Sequence, residues 1–250
     1  MSGHSKWHSI KHAKGAADAA RGKVFARLAR QIEVAARQGG GDIEGNPTLR
    51  TMVQKARDSS MPKDNIERAI KRGIGELDGV TYEQVNYEGY APHGVAVYVE
   101  TLTDNRNRTG SEVKNAFSRN GGSLAEPGAV SWQFARKGVI LLDKAAATED
   151  DLMIAALEAG AEDIEDQGDT WQVTTPPTEL HVVRDALAEG GIPFTSTDLT
   201  MLPSQTVPLT DPAAARSVLR VIDALEEHDD VQNVYANFDI PDDVLATVMA

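Results

Sequence analysis

The segment GVILLDKAAATEDDLMIAALEAGAEDIEDQGDTWQVTTPPTELHVVRDALAEGGIPFTSTDLTML, residues 138–202, decides how the rest of the chain is read. Val139 to Leu142 is an apolar run of strand length. Glu149 to Ala159 follows with helical spacing behind three acids, which favour the start of a helix. Asp163 to Glu165 and Thr170 to Thr175 read as strands, Thr178 to Glu189 as a second helix and Phe194 to Met201 as a last strand. The order β-α-β-β-α-β is that of the split ferredoxin-like unit, here assigned to residues 138–204.

Before this unit, Tyr82 to Tyr90 and Val95 to Leu102 read as strands around a turn at Pro92, His93 and Gly94. Thr109-Gly110-Ser111-Glu112 has the form of a capping box. The helix it opens carries Val113, Ala116 and Phe117 and ends near Gly121-Gly122. Val130 to Phe134 reads as one more strand. After the unit come a strand at Thr206 to Leu209, a helix at Pro212 to Glu227 and a strand at Val231 to Ala236. These pieces are expected to rejoin the preceding ones, so residues 77–137 plus 205–240 form a discontinuous α/β domain with the ferredoxin-like unit inserted in it.

The front, residues 1–76, reads as helical. In Lys23 to Gln38, Phe25, Leu28, Ile32 and Ala35 share an arc of roughly 80°, and Lys23, Arg27, Arg30 and Arg37 share the opposite side. Three glycines, 39–41, end that helix. Asn46 and Pro47 open a second helix, with Leu49, Met52, Val53 and Ala56 inward. Pro62 opens a third, with Ile66, Ala69 and Ile70 inward, stopping at Gly73. The expected class is α+β with three domains: a helical front with an N-terminal arm, a discontinuous middle and an acidic insertion.

Charge divides the same way. Residues 1–74 hold 15 Lys and Arg against 7 Asp and Glu, a surplus of 8, while the other 176 hold 10 against 31, a deficit of 21. The net of −13 therefore joins a basic module to an acidic body. An acidic body repels phosphate, so a grip on nucleic acid is expected at the front. With no cysteines, disulfides, thiolate metal sites and cysteine nucleophiles are excluded. No apolar run approaches the roughly 18 residues of a membrane helix, and the polar start is no secretory signal, so a cytoplasmic location with no membrane partner is expected. Serine–histidine–acid sets, phosphate-cradling glycine motifs and paired catalytic carboxylates do not stand out. Glu149, Asp150 and Asp151 are consecutive at a helix start, where they complement the dipole and need no metal-assisted chemistry to explain them. His4, His8 and His12 sit four apart, but no acid completes a ligand set. The reading is therefore a non-enzyme with no metal, cofactor or small-molecule substrate. No dimer element is evident, and a monomer is expected.

Four strings carry a family resemblance: Gly3-His4-Ser5-Lys6-Trp7, Arg21-Gly22-Lys23-Val24-Phe25, Met61-Pro62-Lys63-Asp64-Asn65-Ile66 and Asp104-Asn105-Arg106-Asn107-Arg108-Thr109. In this order they resemble the YebC/PmpR family, which includes the mitochondrial translational activator of cytochrome oxidase. The likeness runs from Gly3 to about Phe238. Ile43, Ala91 and His93 depart from the family's usual residues in loops. The resemblance implies three domains and a probable transcriptional regulator that binds DNA. It also implies a second role, ribosome association and help with difficult sequences such as consecutive prolines.

The candidate contacts follow from both lines of reasoning. In the arm, Lys6, Lys11, Lys14 and Arg21 can neutralise phosphates, and the Trp7 indole can stack on an unpaired base. The stripe of Lys23, Arg27, Arg30 and Arg37 can track a phosphate backbone without reading bases. Arg106 and Arg108, beside the start of a helix, make a candidate phosphate pocket. Promoter DNA and ribosomal RNA both remain open as the polymer, with a slight physical preference for RNA because no base-reading helix is evident.

Overall fold

Helical spacing at the front and apolar strands behind it build four hydrophobic clusters among the described residues. In the computed structural model, which describes residues 17–249, α1 (Ala17–Gly39), α2 (Pro47–Asp58) and α3 (Lys63–Gly73) come first. Leu28, Ile32 and Ala35 of α1 meet Leu49, Val53, Met61, Ile66 and Ala69 in one cluster. Asn46 caps α2 by accepting from the Leu49 N–H at 3.1 Å. Its amide donates to the carbonyls of Ala35 and Gly40, 2.9 Å each, so one residue starts α2 and ties it to the end of α1.

Strands β1 (Glu83–Tyr90) and β2 (Ala96–Thr103) pair antiparallel over eight residues, from Glu83 opposite Thr103 to Tyr90 opposite Ala96. The turn between them runs through Pro92–Gly94, with His93 and Gly94 both at positive φ, 64° and 75°. Next come α4 (Arg106–Arg119) and β3 (Ser123–Leu124), which hooks back onto β1. The chain then leaves along β4 (Phe134–Asp143). It passes through α5 (Glu149–Leu152, widening into a π turn over Met153–Leu157), β5 (Asp163–Asp166), β6 (Thr170–Thr175) and α6 (Leu180–Glu189), and returns along β7 (Ser196–Pro203). Their sheet has the order β5-β6-β4-β7 with every pair antiparallel. β4 and β7 stay paired from Phe134 opposite Pro203 to Leu141 opposite Ser196, and over Phe134 to Lys137, before β6 joins, they form a two-stranded ribbon by which the chain goes out and comes back.

The return brings β8 (Val207–Pro208), α7 (Pro212–Glu226), β9 (Val231–Ala236), β10 (Phe238–Asp239) and α8 (Asp242–Met249). β9 adds to β2 and completes a second sheet, β3-β1-β2-β9. Val97, Val99 and Val234 of that sheet pack with Val113 and Phe117 of α4 and Val218 and Ile222 of α7. The class is α+β.

Three local readings are corrected. Thr109 is not a helix cap: α4 begins at Arg106, capped by Asn105, whose side chain accepts from the Arg108 N–H at 3.1 Å. Thr109 lies one turn inside and fully buried, where its hydroxyl is needed by a buried acid described below. Val130 to Phe134 is not a strand but a 3₁₀ turn over Ser131–Gln133 leading into β4. The buried Glu88 carboxylate holds that stretch by accepting the N–H groups of Gly128, Val130 and Ser131 at 2.6–2.8 Å, which leaves them nothing to give a sheet. Finally, α8 lies beyond the last predicted element; Val244 and Leu245 bury it in the same core as α7.

α1 and α3 cross closely at Gly73. A Cβ built on Gly73 would stand 2.5 Å from the Glu33 carbonyl oxygen and 2.7 Å from the Ala36 methyl. Overpacking of this kind costs about 1–3 kcal/mol, more than the roughly 1 kcal/mol that alanine gains over glycine in helix propensity. Gly73→Ala is expected to lower the melting temperature of the helical module by several degrees, read by calorimetry.

Candidate nucleic-acid interface

The cationic side of α1 is engaged by the chain itself, although Lys23 and Arg37 stay exposed. It lies against the end of α7, where the last carbonyls of a helix have no intrahelical donor and carry partial negative charge. Lys23 Nζ donates to the Glu227 carbonyl at 3.2 Å, the Arg27 guanidinium to the Glu226 carbonyl, and the Arg30 guanidinium to the Asp229 carbonyl. Each cation at a helix C-terminus contributes roughly 0.3–1 kcal/mol, and up to about 2 where partly buried. Burial pushes Arg27 down from its ordinary pKa while Glu226 and Asp229 pull it back up, and a guanidinium stays charged throughout. Arg37, two turns further on, pairs with the buried Glu33 at 3.5 Å, and Arg72 of α3 reaches the same carboxylate at 3.2 Å.

Asp230, just past α7, is only 3% exposed. Its carboxylate receives Arg30 at 3.1 Å, Arg108 at 2.7 Å and the Thr109 hydroxyl at 2.7 Å. Burial alone would push its pKa up. The hydrogen bonds from Thr109 and Arg108, with the charges of Arg108 and Arg30, outweigh that and hold it below the usual carboxylate range. One buried acid thus joins α1 to α4. Next to it His228 Nε2 lies 2.6 Å from Glu112 Oε2, and His228 Nδ1 accepts the Asp230 N–H at 3.0 Å.

The expected phosphate pocket is divided by this arrangement. Arg108 turns back onto Asp230 and, at 2.8 Å, onto Asp104, and these hydrogen bonds raise its pKa. Arg106 stays exposed, with Tyr87 donating its hydroxyl to the Arg106 carbonyl at 3.3 Å. Arg21 is exposed on α1 and has a contact of its own. Lys6, Trp7, Lys11, Lys14 and the three histidines at 4, 8 and 12 lie outside the described residues.

Other cations of the helical module are open. Arg57 of α2 and Arg68 and Lys71 of α3 are exposed, with no polar side-chain partner among the described residues. Lys63 is held only by an exposed i,i+4 pair with Glu67 at 3.4 Å, worth about 0.3–0.5 kcal/mol. Met61 lies at the meeting of two shallow clefts. One, about 230 Å³, is bordered by Arg57, Lys63 and Ile43; the other, about 190 Å³, by Phe25, Asn65, Arg68 and Arg72. Sequence reasoning identified the inward faces of α2 and α3 and passed over these outward cations, although the same periodicity places them. It also passed over Trp132, which is 74% exposed and fixed by its indole N–H donating to the Ala129 carbonyl at 3.1 Å.

At the start of α5 one of the three consecutive acids has structural work. Asp151 and Thr148 form a reciprocal capping box. Among the described residues no three His, Asp or Glu converge as metal ligands, and no helix is long and apolar enough to cross a membrane.

Comparison with known proteins matches residues 5–76 to the TACO1/YebC protein N-terminal domain and residues 82–238 to the TACO1/YebC second and third domain. The chain belongs to the TACO1/YebC family. A probable transcriptional regulatory protein of Mycolicibacterium smegmatis is 57% identical over 247 residues, covering 98% of both chains. A relative of the same description in Halothermothrix orenii is 52% identical over 250 residues, covering 99% of each. Among solved structures, a conserved hypothetical protein of Aquifex aeolicus is 48% identical, with a TM-score of 0.78 over 90% of this chain and 93% of that one. The four strings quoted from the sequence thus fall inside a TACO1/YebC likeness that spans nearly the whole chain. Two of them lie at structural joints: Arg21 to Phe25 on α1, and Asp104 to Thr109 around the start of α4.

Removing the charge at Asp230 tests the joint. Asp230→Asn leaves Arg30 and Arg108 without their shared counter-charge and is expected to destabilise the protein by on the order of 3 kcal/mol at pH 7. Because the folded carboxyl titrates below its unfolded value, the stabilisation is fully present above about pH 5 and is lost as pH falls through and below about 3.9. Urea unfolding of wild type and variant should therefore differ at pH 7 and converge toward pH 3.

Proposed function

We propose that the chain is a non-enzymatic, cytoplasmic, nucleic-acid-binding regulator of gene expression, and that it holds its polymer through the outer side of α2 and α3 and the N-terminal arm. The observation that carries this reading is the set of exposed cations on α2 and α3, with Arg57 and Arg68 bordering the clefts at Met61 and Lys71 about one turn beyond Arg68, in residues 1–74 with their charge surplus of 8. Cations without internal partners release counterions when they meet phosphate, whereas cations already on a carboxylate must first give up a partner. Lys6, Lys11, Lys14 and Trp7 would extend the grip from the arm, and Arg106 would add a separate contact. Lys23, Arg27, Arg30, Arg37 and Arg108 enter this reading as the residues that fix the module on the body. The relatives' description as transcriptional regulators supports a regulatory role.

A second reading, an RNA-binding, ribosome-associated factor in translation, is favoured by one observation. The longest helix of the front turns its cationic side to α7, which leaves it unsuited to lie in a major groove and read bases. Grip on the backbone, with stacking on unpaired bases, suits structured RNA as well as DNA.

The triple variant Arg57→Glu/Arg68→Glu/Lys71→Glu is expected to bind both duplex DNA and structured RNA at least tenfold more weakly at about 0.1 M salt. Its affinity should also fall less steeply with salt than that of the wild type, by roughly 0.7–0.9 in log–log slope per lost phosphate contact. Unchanged affinity and slope would overturn the assignment. With magnesium or manganese, labelled DNA and RNA should stay intact; cleavage would instead favour a metal-dependent nuclease.

A further inference from the structure

The acidic unit between β4 and β7 carries 14 Asp and Glu against 4 Lys and Arg over residues 136–203. Its cations are mostly used within it: Lys137 on Glu162, Lys144 on Asp166 and Arg184 on Asp185. The two helices cover one face of its sheet with Leu152, Ala156, Leu180, Val183 and Leu187. Their outer side is not simply polar. Met153, Ile154 and Leu157, all in the π turn of α5, are 48%, 64% and 37% exposed, and Val182 on α6 is 51% exposed. A π turn interrupts regular α-helical hydrogen bonding and is frequent at functional sites. Here it sits where apolar residues are turned out to solvent.

Helical spacing sets acids beside this stripe. Glu149 and Asp150 precede Met153 and Ile154 by about one turn, and Glu158 follows Ile154 by about one turn. All three carboxylates are exposed and without a cation partner among the described residues. A second copy paired through this same face is a poor occupant, because it would bring the same carboxylates against these. A polyphosphate is repelled outright. We propose that the outer face of α5 and α6 is a docking surface for a basic amphipathic segment of a partner protein: apolar side chains against Met153, Ile154 and Leu157, and lysines or arginines on Glu149, Asp150 and Glu158. This proposal stands apart from the nucleic-acid reading, since it uses neither the helical module nor the arm.

The test uses the full chain labelled at its methionine methyls, six in all. The probes are a synthetic 18-residue leucine–lysine helix with one apolar face and a scrambled peptide of the same composition without that face. The amphipathic helix should shift the Met153 methyl signal. It should bind the wild type at least tenfold more tightly than it binds Ile154→Ser/Leu157→Ser or Glu149→Gln/Glu158→Gln. All four positions are exposed, and unchanged circular dichroism would confirm that the variants are folded. Equal binding of the scrambled peptide, an unmoved Met153 signal, or variants that bind as well as the wild type would each overturn the proposal. Self-association of the wild type that Ile154→Ser abolishes in sedimentation would overturn it too, in favour of a second copy.

Discussion

A carboxylate as buried as that of Asp230 must be compensated or neutralised, and in this protein two helices from different parts of the chain supply the compensation. Arg30 arrives from the helical front and Arg108 and Thr109 from α4, while Asp230 itself hangs from the end of α7. Removing a partner from such a cluster leaves an uncompensated buried charge, which is why the arrangement selects one orientation of the parts more than it adds raw stability. The carbonyls of Glu226, Glu227 and Asp229 extend the same logic. The negative end of α7 is a dock, and the positive side of α1 is what it receives.

This joint divides the cations of the front into two populations. Those on α1 are bound to carbonyls and carboxylates of the chain itself. Arg57, Arg68 and Lys71 on α2 and α3 are exposed and have no polar side-chain partner among the described residues. The proposed function draws on the second population, and the orientation that presents it is enforced by the first. The body behind the joint is acidic, so polyanions are excluded from most of the surface and directed to the basic side. The acidic outer face of α5 and α6 suits the opposite class of partner.

Much of the fold was legible because local chemistry and tertiary structure agree. Asn46-Pro47 opens α2, glycines at 39 to 41 close α1, and Pro92-His93-Gly94 turns between β1 and β2. Period-two and period-3.6 patterns placed most of the rest. What failed had tertiary causes. Thr109 has the neighbours of a cap, but Asn105 caps better from four residues upstream and frees Thr109 for Asp230, a residue 121 positions away. Val130 to Phe134 has strand composition, but Glu88 claims its N–H groups. For the candidate site, periodicity located the stripe on α1 and said nothing of what would lie against it. A row of Lys and Arg opposite an apolar face reads the same whether it meets phosphate, water or the carbonyl end of another helix. Only the packing of α7 tells these apart.

The central claim is that cations on two sides of one small module do different jobs, and charge-matched variants test it most directly. Arg27→Gln/Arg30→Gln and Arg57→Gln/Arg68→Gln each remove two positive charges, so bulk electrostatics is held equal between them. Melting temperature and RNA or DNA affinity should be measured on both, well below the transition. The α1 pair should lose several degrees of stability while keeping near-wild-type affinity, and the α2–α3 pair should keep its stability while binding severalfold more weakly. The reverse pattern, with binding lost at Arg27 and Arg30 and untouched at Arg57 and Arg68, would contradict it.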